Sequence, residues 1–179
     1  MRTSHTHPLR IDEVAAGEAG GVIGITFCPG KQGDSYSGAP WARDLEADLD
    51  AIARWQPGAM LTLIEDHEFD MLGVPRLGER APARGIEWHH LPIVDVQPPD
   101  ERFESLWVER GPGLVRLLQE GGKVLAHCRG GLGRAGTVAA LLLVGMGVPG
   151  GEAVRRVRAA RPGAIETGAQ LRYVMAAGR

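Results

Sequence analysis

Apolar positions along this chain fall into short continuous runs and longer helical stripes, and the two kinds alternate. Gly21 to Phe27 (GVIGITF), Ala59 to Ile64, Ile86 to Leu91 and Lys123 to His127 (KVLAH) are brief apolar runs bounded by turn residues, the mark of buried strands. Trp41 to Trp55 places Trp41, Leu45, Leu49 and Ile52 on one helical face, with Asp44, Glu46, Asp48 and Asp50 largely off it, which predicts a helix with a solvated acidic side. Glu65 to Leu72 begins a shorter helix. Arg102 to Gln119 carries Phe103, Leu106, Trp107, Leu114 and Leu118 at helical spacing, but Gly111-Pro112-Gly113 interrupts it. An internal proline costs about 3 kcal/mol and predicts a kink or break there. Ala135 to Met146 is apolar all round and reads as a buried helix, whereas Ala153 to Arg161 is basic and amphipathic with Val154 and Val157 inward. Its arginines are expected to form a solvated face or, failing that, a docking surface for an acidic protein.

Strand, helix and strand in this order, with crossovers long enough for parallel pairing, predict an α/β fold whose central, mostly parallel sheet is flanked by helices on both faces. Gly21 to Phe27 is expected to be the first strand. Residues 1–19 form a leading segment, partly extended, in which His5 and His7 belong to a frayed terminus.

Length and charge narrow the class. A chain of 179 residues with 44% hydrophobic content is expected to be one domain over residues 1–179. A formal net charge of −2 argues against a general nucleic-acid or anionic-membrane surface, so any attraction for anions is local. Cys28 and Cys128 stand a hundred positions apart, which makes neither a disulfide framework nor a zinc knuckle. No apolar run is long enough for a membrane span, and no basic-plus-apolar leader opens the chain. The expectation is a cytoplasmic monomer that needs no metal or cofactor. His89 and His90 do not form a metal pair, because neighbours on a strand point to opposite faces.

The chemistry concentrates in KVLAHCRGGLGRAGT, Lys123 to Thr137. A strand feeds a glycine-rich turn, and a helix follows. Glycines permit positive φ and close backbone approach, so the amides of Arg129, Gly130, Gly131, Leu132 and Gly133 can converge on one point, where the first turn of the helix adds its own unpaired donors. The result is an anion cradle with Cys128 at its base and the fork-shaped guanidinium of Arg134 at its rim, suited to two oxygens of a phosphate. Such a field favours thiolate, the nucleophilic form, so Cys128 is a candidate nucleophile. His127 stands beside it in a supporting place. The spacing H-C-x-x-G-x-x-R arises by chance in roughly one shuffled chain of this composition per thousand.

A partner acid is wanted to protonate a leaving oxygen, a contribution of typically about 10²–10⁴-fold. Asp95 lies in a proline-braced loop after the third strand, at the carboxyl end where open α/β sheets place ligands. Asp100 is its rival, although it reads better as the N-cap of the next helix. Gly131 to Gly136 also spells G-x-G-x-x-G, a dinucleotide-loop pattern. Too little chain follows it for such a fold, and that reading gives His127 and Cys128 no task.

HCRGGLGR resembles the phosphate-binding loop HCxxGxxR of cysteine-dependent protein phosphatases. FCPGK at Phe27 to Lys31, HHLPIVDVQPPD at His89 to Asp100 and GAIETGAQLRYV at Gly163 to Val174 are similar, in order, to the branch of dual-specificity phosphatases typified by cyclin-dependent-kinase-associated phosphatase. The resemblance spans roughly residues 20 to 175. It implies a protein-tyrosine-phosphatase-like fold and hydrolysis of a phosphorylated protein, on tyrosine alone or also on serine and threonine, through a cysteinyl phosphate. In these terms Cys128 is the nucleophile, Asp95 the acid, Arg134 and the loop amides the phosphate binders, and Gln170 the residue that places water for the second step. Lys31 lies on the loop that borders the mouth, a contact to phosphate or an ordinary exposed lysine. Cys28 is a buried free thiol or a disulfide partner for Cys128. The pattern usually carries Ser or Thr directly after the arginine, and this chain has Ala135, which predicts slow breakdown of the phosphoenzyme. The alternatives are a weakly active phosphoprotein-binding relic and a phosphatase of phosphoinositides or small phosphate esters.

Overall fold

The computed structural model describes residues 1–179. In chain order its elements are β1 (Asp12–Ala16), β2 (Gly21–Thr26), the two-residue strands β3 (Gln32–Gly33) and β4 (Trp41–Ala42), α1 (Leu45–Trp55), β5 (Ala59–Thr62), α2 (Asp66–Met71), α3 (Leu77–Arg80), a single 3₁₀ turn Pro82–Arg84, β6 (Trp88–His90), α4 (Glu101–Gln119), β7 (Lys123–His127), α5 (Gly133–Gly145), α6 (Gly150–Ala160) and α7 (Gly168–Ala177). The main sheet runs β1-β2-β7-β5-β6, and every pairing in it is parallel except that of β1 with β2.

β7 is the central strand, and its side chains divide between two cores. Val124 and Ala126 face the larger core with Ile23, Ile25, Leu61 and the buried faces of α4 to α7. Leu125 faces the smaller one with Met60, Leu49, Ile52 and Leu77 from β5, α1 and α3. Alternation along one strand thus buries helices on both sides of the sheet, as the run KVLAH requires of a strand covered on both faces. α5 is buried nearly all round, from Gly133 to Leu143, which accounts for its unbroken apolar sequence. Register sets Thr26 and Thr62 beside His127, so three parallel strands end together and the glycine-rich loop leaves from a shared ledge.

Five sequence expectations change. The first strand is β1, inside the leading segment, and the terminus ahead of it is tied down. Arg2 donates from Nε to the Ala39 carbonyl at 2.9 Å and stacks its guanidinium 3.8 Å from the centre of the Trp41 ring. Trp41 belongs to β4 rather than to a helix, because α1 starts only after its N-cap Asp44. Asp48 is buried instead of solvated: it accepts from Arg43 Nε at 2.8 Å, from Arg43 Nη2 at 2.9 Å and from Gly30 N at 2.8 Å, a fully paired buried charge. Finally, α4 runs through Pro112 as one helix. Both Pro112 and Val108, whose carbonyl the proline leaves without its N–H, are exposed, so water can take the place of the lost bond. Asp100 is the N-cap of α4, accepting from Phe103 N at 3.1 Å.

Candidate active site

The turn from β7 into α5 depends on one glycine above the others. Gly131 has φ +73°, and a Cβ there would lie 2.7 Å from the backbone of Thr26. Only glycine allows the loop to fold against the end of β2. From this turn the N–H groups of Arg129, Gly130, Gly131, Leu132 and Arg134 find no acceptor within the protein. The N–H of Gly133 does, and the acceptor is Glu166 Oε1 at 2.8 Å. Arg161 works on the outside of the same loop. Its Nε donates to the Gly131 carbonyl at 3.1 Å, Nη2 to the Gly130 carbonyl at 3.0 Å, and Nη1 reaches Asp12 at 3.2 Å. These bonds occupy the carbonyls of Gly130 and Gly131, while the neighbouring N–H groups keep no acceptor. Arg158 binds the carbonyls of Ala164 and Ile165, so two arginines of α6 and its C-cap have structural partners rather than a wholly solvated face.

Cys128 lies at the base of the loop, 3% exposed, and is not in a disulfide. Cys28 is buried and also free; burial pushes its thiol well above the ordinary range, and the nearby Lys31 offsets this only in part. His127 is fixed in one neutral form. Its Nδ1 lies 3.1 Å from the Cys128 carbonyl, which can only accept, so Nδ1 carries the proton. Nε2 must then accept, and it takes the hydroxyl of Thr62 at 2.7 Å while Trp88 Nε1 donates to that oxygen at 2.8 Å. Burial pushes His127 down to about 4, outweighing the contact to the Cys128 carbonyl.

Arg134 is 1% exposed, and its guanidinium is oriented from behind. Nη1 and Nη2 donate to the two oxygens of Glu68 at 2.6 and 2.9 Å, and Nη1 also reaches the Ile93 carbonyl at 3.1 Å. Nη2 lies 3.1 Å from Asp95 Oδ1. Nε is the one buried side-chain polar atom with no partner. Burial alone would lower the pKa of Arg134 and raise that of Glu68, but their hydrogen bonds reverse both, so the pair stays ionised. Glu68 itself is held by the N–H of Glu65, which donates to its Oε2 at 2.7 Å in a capping box at the start of α2.

Asp95 stands at the mouth with its side chain 47% exposed. Its Oδ1 accepts from Val96 N at 3.0 Å. Val96 has φ +60°, an unfavourable place for a β-branched residue, as has Ile165 beside Glu166. Strain of this kind costs about 1–3 kcal/mol per residue and persists where the surroundings dictate the backbone. Gln170 is fully buried. Its Oε1 accepts from Glu166 N and Thr167 N at 3.0 and 3.2 Å, and its Nε2 donates to the Gln97 carbonyl at 3.1 Å, which links α7 to the Asp95 loop. Lys31 is 7% exposed, against the expectation of an ordinary surface lysine. Its Nζ donates to the Arg129 carbonyl at 3.3 Å and sits 4.1 Å from the centre of the Trp41 ring.

A cavity of about 500 Å³ opens beside the loop, lined among others by Lys31, Tyr36, Asp95, Arg129 and Glu166. No group of three or more His, Cys, Asp or Glu side chains is disposed to hold a metal ion. No helix is long and apolar enough to cross a membrane. Arg161 had no signal in the sequence that set it apart from other surface charges, and Glu166 stood inside GAIETGAQLRYV without a role of its own. The Glu65-x-x-Glu68 spacing of a capping box was the one available hint to Glu68.

Comparison with known proteins agrees with this architecture. Residues 45–174 match the family described as Swiss Army Knife protein, DSP-PTPase phosphatase domain. Cyclin-dependent kinase inhibitor 3 of Mus musculus is 31% identical over 134 residues, which are 74% of this chain and 62% of that protein. The Rattus norvegicus protein of the same name is 37% identical over 110 residues, 60% of this chain and 50% of that one, so the chain spans half to about three fifths of the curated relatives it matches. Among solved structures, kinase associated phosphatase with its catalytic-site cysteine replaced by serine has a TM-score of 0.78 at 26% identity, over 93% of this chain and 92% of that one. Tk-PTP in its active form has a TM-score of 0.65 at 32% identity, over 90% and 97%.

Proposed function

Because the chain belongs to the DSP-PTPase phosphatase family, we propose that it hydrolyses phosphorylated proteins, phosphotyrosine first and phosphoserine or phosphothreonine second, through a cysteinyl phosphate on Cys128. The observation that carries this reading is the unpartnered Nε–H of Arg134, buried beside a thiol and a row of free amides. A buried donor without a partner costs about 1–3 kcal/mol, and the equatorial oxygens of a phosphoryl group would relieve it.

The thiolate sulfur of Cys128 attacks phosphorus in line, so that an S–P bond forms as the ester P–O bond breaks. Arg134 and the amides of Arg129 to Leu132 hold the equatorial oxygens, where charge accumulates. Asp95 gives its proton to the leaving oxygen. Its Oδ2 has no protein partner and is the atom free to carry that proton. Water then attacks phosphorus, its proton passes to Asp95, and sulfur leaves as thiolate. Gln170 and Glu68 act by placement: Gln170 anchors the Asp95 loop through Gln97, and Glu68 aims the guanidinium.

A second reading has a specific observation behind it. Ala135 brings no hydroxyl to the loop, and the hydroxyl of Thr137 is turned away, donating to the Gly133 carbonyl at 2.6 Å. A protein that binds phosphoprotein and releases its phosphoenzyme slowly fits these facts. Rapid acid quench with a radiolabelled phosphotyrosine peptide decides between the two. The enzyme reading expects covalent label that turns over, and Cys128→Ser that binds peptide without label or turnover. Undiminished turnover by Cys128→Ser would overturn it.

A further inference from the structure

The cavity beside the loop holds more cation than one phosphate ester requires. Arg2, Lys31 and Arg129 line it, and none of the three pairs with a carboxylate. Arg2 is spent on the carbonyls of Ser37 and Ala39 and on the Trp41 ring, and Arg129 leans 4.9 Å from the centre of the Tyr36 ring with Nη1 3.2 Å from its hydroxyl. Lys31 is the unusual one. It is more than nine-tenths buried between Phe27 and Trp41, keeps one carbonyl partner, and has two further N–H donors. Burying an ammonium with so little compensation is costly, and burial pushes Lys31 down to about 8, with Cys28 and Cys128 holding it up and Arg43 and Arg2 pressing it further down. It is still mostly charged at neutral pH. Asp34, Asp95 and Glu166 are the cavity's carboxylates; Asp95 faces Arg134 and Glu166 holds Gly133, so neither neutralises Lys31.

We propose that Lys31, Arg129 and Arg2 form a second anion subsite beside the Cys128 cradle, and that the preferred substrate is a phosphopeptide with a second acidic group, phosphate or carboxylate, next to the phosphate ester. The substrate class named here rests on the phosphatase reading above. The carboxylates at the rim and the net charge of −2 disfavour a polyanionic bilayer, while the 91% exposed Tyr36 offers a peptide an amphipathic wall. A second anion would accept from the spare donors of Lys31 and raise its pKa. The advantage it confers is therefore present at neutral pH and shrinks as pH rises through about 8, where Lys31 loses its proton.

Binding to the Cys128→Ser protein tests the subsite independently of catalysis. Calorimetry compares a singly phosphorylated peptide with neutral flanks, the same peptide with an adjacent second phosphate, and one with an adjacent glutamate. The expectation is at least about tenfold tighter binding of the two-phosphate peptide, a difference largely lost in Lys31→Met and reduced in Arg2→Ala. Arg155→Met, an exposed arginine outside the cavity, controls for overall charge and is expected to keep the ratio. Equal affinity for the one-anion and two-anion peptides, or an unchanged ratio in both cavity variants, overturns the subsite. A water-soluble inositol bisphosphate whose affinity depends on Lys31 when that of the peptides does not overturns the choice of peptide. Aryl phosphate turnover by the unmodified protein is a separate readout: its absence defeats the phosphatase reading and leaves the binding result to stand or fall alone.

Discussion

Arg134 grips both oxygens of Glu68, 66 positions away in sequence, at 2.6 and 2.9 Å, with both side chains almost wholly shielded from water. Removing one member of such a pair leaves a buried charge uncompensated. Glu68→Gln is expected to destabilise the fold by about 3–5 kcal/mol, read as a lower urea midpoint, and to weaken tungstate binding by misaiming the guanidinium. The carboxyl of Glu68 titrates below its ordinary 4.5, so its stabilising effect is complete above 4.5 and is lost as pH falls through the folded value. Glu68→Gln should lack that acid dependence. An equal acid slope in both proteins would show that Glu68 is not the group responsible.

The sequence was most legible where the pattern had a single reading. KVLAH followed by glycines and an all-apolar helix permits little except a buried strand, a turn and a buried helix, and Asp100 before Glu101 to Gln119 marks a cap. It was least legible where a charged residue's role depends on a distant partner. Asp48 reads as solvated because it is an aspartate, yet it stands three positions after Leu45 and four before Ile52, on the buried side of α1, where Arg43 and Gly30 meet it. Arg161 reads as the tail of a basic helix until the loop carbonyls it binds, about thirty positions earlier, come into place. Lys31 reads as a surface lysine because its aromatic cover depends on Trp41, which the helical stripe had claimed. Local periodicity fixes elements, and tertiary partners fix the ionic roles.

His127 is held neutral by burial, which outweighs the opposing contact to the Cys128 carbonyl. Its folded value is about 4 against 6.5 when unfolded, so the unfolded chain binds the extra proton in the window between them. Stability is then full above pH 6.5 and falls by about 3 kcal/mol as pH drops toward 4. The imidazole resonance of His127 should show no titration above pH 5. A midpoint near 6.5 would mean that His127 is not shielded from water in solution.

Asp95→Asn retains shape and loses the transferable proton. Turnover of substrates with poor leaving groups should fall about 10²–10⁴-fold, whereas a nitrophenyl ester, which needs little protonation, should be affected far less. The comparison is of kcat across a series of aryl phosphates. A uniform drop would assign Asp95 to aligning Arg134 rather than to proton transfer.

Ala135 predicts that hydrolysis of the phosphoenzyme limits the rate. Stopped-flow with an aryl phosphate should give a burst of phenolate followed by a slow steady state. Ala135→Ser should raise the steady rate and shrink the burst. No burst in the starting protein would place the slow step before breakdown of the phosphoenzyme.

The short ladder Asp12–Ala16 lies at the edge of the sheet, remote in sequence from HCRGGLGR, yet Asp12 is tethered to Arg161, whose other nitrogens pull on two carbonyls of the phosphate loop. The opening residues therefore act as a guy rope for the bowl. A shortened chain that starts at Gly21 would keep the whole run HCRGGLGR and still let the rim sag, so any version trimmed for convenience tests a slackened loop.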